Sequence, residues 1–488
     1  MSETQRTGVE LPEGRSGSAL FYALLDGAVI RHPEVFGGSE LLGDPRRFRS
    51  EFAERLVQFE LRRIASPQRA QIAREMIVEM HSTLRFCGPA GEQALAEQLE
   101  RVAEPLALEE LRLLGAGGLT PRVEHQQRSY AGGQLRDLAE LLLSRAHLTR
   151  SAADALCWLA ESFGQEPIDL AGQRFAILGA GAELSPVPLL LEAGAEVLWI
   201  DLTAPPEGLV KDSQLSGRLF FPPGGADILR QPAEIAATLR AFAEPGPLHI
   251  GLYAYAPGRS REWRLAAAMN AIVRSLPRGS VDSLCLLVSP TSPATVQEED
   301  QRAAEQQLAE APAWQRLLRA AGRLPDGHAR ADGQAVARAI VPVQGASYQA
   351  AQYLTKTLAA EAWAVDGNAS GAPLRVSANS AAITRTRSLS TPIFEAAFVG
   401  APAFGVDTFA PEATRWLNGL LALHDLLNDA APRNEAGLSD EVRARRLHAQ
   451  QVHGGIFALP YALEPAITAA ALIGFVRRPG LLAKLLRR

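Results

Sequence analysis

The residues of this chain best suited to holding a phosphorylated ligand are two glycines and an aspartate some twenty positions on. Gly179-Ala180-Gly181 follows the short apolar run Phe175-Ala-Ile-Leu. Glycines at such a turn let backbone N–H groups approach a pyrophosphate, which then rests on the N-terminus of the following helix. The third position of the G-x-G-x-x-G pattern is Leu184, so the close helix–strand packing that a third glycine allows is missing. Asp201 ends the run Glu196-Val-Leu-Trp-Ile. A carboxylate there accepts both hydroxyls of a ribose and repels a 2′-phosphate, which favours NAD(H) over NADP(H). An ordinary strand-to-helix turn at Gly179, and an N-cap role for Asp201, are the bland alternatives.

Positioning these residues takes a parallel sheet, and the sequence has the matching rhythm. Apolar runs at 175–178, 196–201, 219–221, 249–253, 283–289 and 374–379 read as strands. Helical patterns at 187–193, 232–242, 261–275 and 345–363 fall between them. This alternation predicts an α/β fold with a doubly wound, parallel, Rossmann-type sheet. Residues 293–341, polar and broken by Gly322 and Pro325-Asp-Gly, read as a helical insertion that would cover the carboxyl edge of the sheet. Upstream, residues 48–63, 70–86, 91–106 and 134–163 carry helical periodicity and no strand pattern. The expected organisation is therefore an all-helical N-terminal domain over 1–168, a sheet domain over 169–430 and a helical C-terminal extension over 431–488.

From about Phe175 to Thr386 the sequence resembles the short-chain dehydrogenase/reductase superfamily. Gly224-Gly-Ala-Asp227-Ile228 is similar to the end of that family's third strand, and the resemblance implies that Asp227 and Ile228 hold an adenine ring. Trp263-Arg-Leu-Ala-Ala-Ala-Met-Asn270 matches a helix that carries a Trp and, seven residues on, the Asn of the catalytic tetrad. Leu354-Thr-Lys-Thr-Leu-Ala-Ala-Glu resembles the end of the family's long helix. Val376 to Thr386 is similar to the sixth-strand segment, which implies contact between Thr386 and the nicotinamide amide. The resemblance implies an oxidoreductase acting on a carbonyl or alcohol, with Ser289 (Thr291 and Ser292 if the register differs) polarising the carbonyl.

Departures from the family pattern bear on the chemistry. The family's Asn-Asn-Ala-Gly falls on Ala254-Tyr-Ala-Pro257, and its Pro-Gly on Ala381-Ala382. Its Tyr-x-x-x-Lys falls on Gln344 to Tyr348, so a Gln replaces the phenol and a Tyr the ammonium. A Gln cannot act as an acid at neutral pH, and a neutral phenol supplies no cationic field. Tyr348 is the nearest displaced proton donor, its alternative being a helix-surface or interface aromatic. Lys356 lies eight residues further on, about 12 Å of helical rise, too far to replace the missing Lys comfortably. Asn270 has a plainer reading as a helix-interior amide bonded to the fourth strand's backbone. A catalytically silent chain, serving as a scaffold, sensor or partner of another protein, is the competing expectation.

Composition narrows the remaining classes. A net charge of −5 gives no basic excess for nucleic acid. Cys87, Cys157 and Cys285 are scattered, and the histidines form no HxxxH or HExxH, so no metal site is expected. The N-terminus has no apolar leader pattern and no apolar run reaches bilayer length, which points to the cytoplasm. Arg375, Arg385 and Arg387 gather around the sixth strand, either for a phosphate or as a solvated basic loop. The tail 465–488 is apolar with basic residues towards its end, suited either to an anionic membrane surface or to packing on its own domain. A small-molecule substrate is expected, and so is a homo-oligomer formed through the helices that carry Asn270 and Tyr348.

Overall fold

The strands are apolar on both faces, which buries the sheet between two layers of helix. The computed structural model describes residues 7–256, 258, 260–277, 279–366, 374–435 and 437–486. Pro257, residues 367–373, Arg487 and Arg488 lie outside the described residues. Seven strands form the central sheet: β1 (Glu109–Arg112), β2 (Arg174–Leu178), β3 (Glu196–Ile200), β4 (Arg218–Phe221), β5 (Leu248–Leu252), β6 (Val281–Leu286) and β7 (Arg375–Ser377). Their spatial order is β7-β6-β5-β2-β3-β4-β1. Neighbours pair in parallel except β1, which runs antiparallel to β4. The fold is therefore mixed α/β with a mostly parallel sheet. The order reverses at β2: the chain leaves it for β3 and β4 on one side and returns to β5, β6 and β7 on the other.

One face of the sheet, with Ala176, Leu178, Leu198, Ile200, Ile250 and Leu252, shares a core with helices from both ends of the chain. These are α1 (Gly17–Arg31), α2 (Phe48–Ala65), α3 (Arg69–Thr83), α7 (Pro232–Phe242), α8 (Arg261–Arg274) and the long helix α9. The opposite face, with Phe175, Ile177, Val197, Trp199 and Leu219, packs on α4 (Leu135–Ser144), α5 (Arg150–Ser162), α6 (Val187–Glu192) and α11 (Pro411–Leu427). Helix α9 has three parts: an α-helical start (Ala346–Gln352), a π-helical middle (Tyr353–Leu358) and an α-helical end (Ala359–Asp366).

The region expected to be wholly helical departs from that reading. It holds six short strands, including β1, which joins the main sheet. Residues 91–106 are not one helix: Gly91–Ala94 pairs with Arg85–Gly88 in a hairpin before a short helix, Leu95–Glu100. The turn between those strands is Gly88-Pro-Ala-Gly91, with Gly91 at φ +106. The helix expected over 134–163 is split by Ala146 in a left-handed conformation, φ +51, which ends α4 before α5 begins. Helices before residue 168 lie on both faces of the sheet, their apolar stripes completing its two cores rather than one of their own.

Helices α8 and α9 are covered by the chain's own N-terminal helices. Trp263 is fully buried and packs edge-on against Phe21. Arg264 pairs with Glu10, and Tyr353 donates to Glu60 at 2.5 Å. Beneath them lies a buried ionic cluster: Glu361 accepts from Arg63 at 2.7 and 3.0 Å and from Arg69 at 2.6 Å.

The insertion contains two helices, Glu298–Ala309 and Ala313–Ala320, and also a hairpin, His328–Ala331 with Gln334–Ala337. Its two-residue turn, Asp332-Gly333, has both residues at positive φ, the geometry that Asp-Gly favours. With α10 (Pro392–Gly400) and α12 (Leu463–Arg477) following, a third core forms from Val296, Ala335, Phe404, Phe457, Tyr461 and Leu463. Among the described residues no single helix is long and apolar enough to cross a membrane. α12 passes that test only jointly with α13 (Pro479–Leu486), and the two are bent by 105°.

Candidate functional site

Loops leaving the carboxyl ends of β2, β5, β6 and β7 diverge where the strand order reverses, which opens a crevice there. Across it lies a cavity of about 610 Å³. Ala182, Glu183 and Leu184 reach it from the loop after β2, Tyr253 and Tyr255 from β5, Ser289 and Thr291 from β6, and Ala381, Ala382 and Thr386 from β7. α9 contributes Tyr348, Gln352 and Lys356, preceded by Gln344. α10 and α12 close the remaining side with Phe394, Ala397, Phe398, Ala466, Ile467 and Ala470.

A chain of polar contacts crosses this space. Tyr348 Oη donates to Ser289 Oγ at 3.2 Å. Ser289 Oγ lies 3.0 Å from Thr291 Oγ1, which donates to Gln344 Oε1 at 3.0 Å. Burial pushes the Tyr348 phenol well above its ordinary range, and the contact to Ser289 offsets only part of this. The phenol is therefore protonated at neutral pH and is a weaker acid than a free tyrosine. Gln344 stands outside the helix: Gly345, at φ +85, is its N-cap, and the helix begins at Ala346. The first phenol the helix can present inwards is thus Tyr348, one turn in.

Lys356 lies eight residues beyond Tyr348 and lines the same cavity. In a regular α-helix a residue eight positions on stands about 80° round from the first. Each π-helical turn takes in an extra residue and rotates later side chains back. Lys356 falls within the π segment and lines the cavity with Tyr348. Its Nζ is 3.4 Å from Glu262 Oε1, whose side chain is 2% exposed. Glu262 also accepts from Ala256 N at 2.8 Å and Gln352 Nε2 at 3.1 Å. The other amide atom, Gln352 Oε1, is buried without a hydrogen-bond partner.

Asn270 braces the two helices and does not line the cavity. Its Nδ2 donates to Ala266 O at 3.0 Å and to Thr355 O at 2.8 Å, and its Oδ1 accepts from Trp363 Nε1 at 3.1 Å. Its cross-helix partner is a carbonyl of the π segment next to Lys356, not the fourth strand's backbone.

The glycine turn is packed tightly. Gly179 has φ +88, and a Cβ on it would come within 2.0 Å of Ala254 N, so only glycine fits this approach to the end of β5. Asp201 Oδ2 accepts from Gly181 N at 2.8 Å, and Oδ1 from Leu202 N at 2.7 Å. Asp227 accepts from Leu229 N at 2.9 Å, Ile228 is 5% exposed, and Ala226 N donates to Asp201 O at 2.6 Å. Gly179, Ala180, Gly181, Asp201, Asp227 and Ile228 thus meet at one place, beside the cavity and not within it. α6 begins only at Val187 and has six residues.

The three arginines do not act together. Arg375 pairs with Asp429, Arg385 Nε donates to Thr408 Oγ1 at 2.8 Å, and Arg387 alone lines the cavity. Sequence reasoning missed Gln352 and Glu262, one turn after Tyr348 and at the start of α8; their only signal was polarity at inward helix positions. Comparison with protein-family models, curated proteins and solved structures found no match.

Proposed function

We propose that this chain is an atypical nicotinamide-dependent oxidoreductase of the short-chain dehydrogenase/reductase kind, on a Rossmann-type sheet, interconverting a carbonyl and an alcohol. The observation that carries this reading is the Tyr348 Oη to Ser289 Oγ contact, 3.2 Å, inside the cavity at the strand carboxyl ends. A ketone or aldehyde oxygen beside that pair accepts from Ser289, and Tyr348 passes it the proton that completes an alcohol. Lys356, which lines the same cavity, supplies the positive charge and is held by Glu262.

The residues present fit the cofactor. Each oxygen of the Asp201 carboxylate accepts one backbone N–H, which leaves a second lone pair on each for a ribose hydroxyl. Asp227 and Ile228 would hold the adenine end, and Thr386, which lines the cavity, the nicotinamide end. When bound, NAD(P)H supplies the hydride. NADH titration followed by nicotinamide fluorescence should saturate, and Asp201→Ala should weaken binding roughly tenfold, the loss of charge-assisted hydrogen bonds. An unchanged NADH signal at millimolar concentration would remove this reading.

One feature favours a catalytically silent chain instead: the ammonium that lines the cavity, Lys356, is already paired with buried Glu262. NADH oxidation with a panel of aldehydes separates the two. In the active reading, Tyr348→Phe keeps NADH affinity and loses about 10²- to 10⁴-fold in turnover.

A further inference from the structure

We infer that the cavity is a binding site for a lipophilic alcohol, or its aldehyde, whose chain lies along the joint wall of α10 and α12; this names the substrate class of the site and rests on the oxidoreductase reading. Polar and apolar walls come from different elements. Ser289, Tyr348, Gln352 and Lys356 belong to the end of β6 and to α9, whereas α10 and α12 present only carbon surface: Phe394, Ala397, Phe398, Ala466, Ile467 and Ala470.

Close approach of the two helices makes that second wall smooth and dry. A Cβ on Gly400 would come within 1.9 Å of Ala470 O, and one on Gly474 within 1.8 Å of Ala396 O. The backbones therefore touch, and the wall sets the small residues Ala397, Ala466 and Ala470 among Phe394, Phe398 and Ile467. A cavity of about 610 Å³ is far larger than a carbonyl and its nearest carbons require.

At the polar end stand the Tyr348 phenol and the Ser289 and Thr291 hydroxyls, groups that both donate and accept. A polar head with a hydroxyl and a long apolar tail is the ligand that matches both walls.

The test is calorimetric titration of the full chain with 1-alkanols from hexanol to dodecanol, without cofactor. Affinity should tighten about fourfold per methylene until the chain fills the space, then level off. Ile467→Trp should bring the levelling-off to a shorter chain; Ala397→Phe takes its place if that variant does not fold. Affinity independent of chain length, or a plateau unmoved by the substituted wall, overturns the inference. NADH titration of the same protein keeps the two conclusions apart. NADH binding with no chain-length dependence removes the lipophilic site alone. Chain-length dependence with no NADH binding removes the oxidoreductase reading and leaves the site standing.

Discussion

Glu361→Gln is the sharpest perturbation of the link between the N-terminal helices and the helix that carries Tyr348. The carboxylate is fully buried and accepts three hydrogen bonds, two from Arg63 and one from Arg69. His448 Nε2 lies 3.1 Å away. Burial on its own would raise the Glu361 pKa, but Arg63 and Arg69 outweigh it and hold the carboxyl well below the usual range. With Glu60, the cluster sums to zero: two guanidiniums against two carboxylates. Gln leaves one buried positive charge uncompensated, which costs about 3–5 kcal/mol. Urea unfolding at pH 7 reads this directly. Adding Arg69→Met to the variant restores neutrality and should recover a substantial part of the loss. A loss below about 1 kcal/mol, or no recovery in the double variant, would refute the claim that these charges hold the segment onto α9. The pH sign follows from the depressed folded value. Stability from Glu361 is complete above the ordinary carboxylate range and is lost as pH falls through and below it.

Burial lowers His147 from 6.5 to about 4, with its Nε2 bonded to Gly405 O at 3.2 Å. Between those values the unfolded chain takes up the proton first, so stability should fall from pH 6.5 towards 4, by on the order of 2–3 kcal/mol from this group. His147→Phe should flatten that part of the urea-midpoint profile; an unchanged slope would clear His147 of the effect. Gly474→Val places a side chain where the Ala396 carbonyl lies and should cost about 1–3 kcal/mol by overpacking α10 on α12. A thermal melt equal to the parent's would show that the helices do not cross so closely. Asn270→Leu removes the brace to Thr355 O and strands that carbonyl and the Trp363 indole, costing about 1–3 kcal/mol. Backbone amide exchange at 353–358 should rise with it, and equal protection in both proteins would count against the brace.

Local pattern was enough for the elements whose neighbours in space are also neighbours in sequence. Apolar runs of about five residues ending in glycine or a polar residue mark β2, β3 and β5, because strands buried on both faces have no other composition open to them. The α7 reading at 232–242 coincides with Pro232–Phe242 because proline pre-sets the first turn. Ser289 and Tyr348 were legible as candidates from residue type and order alone. Three hairpins escaped: two had a readable turn, Gly88-Pro-Ala-Gly91 and Asp332-Gly333, and the third, Arg122–His125 with Arg128–Ala131, turns on Gln126 and Gln127 at positive φ. Their strands are four residues long, too short for period two to outweigh the helical pattern around them.

Tertiary structure decided everything that depends on the phase of one element against another. Whether Lys356 shares a face with Tyr348 is set by the π segment, and that segment sits where Tyr353 meets Glu60 and Asn270 meets Thr355 O, partners 293 and 85 residues distant. Whether Asp201 can reach a ribose depends on which backbone N–H groups it already holds. Sequence fixes residue types and local periodicity, since these act within a turn or two. A helix's rotation, a cavity's walls and a buried ion's partners are settled by contacts between remote segments, and no local pattern encodes them.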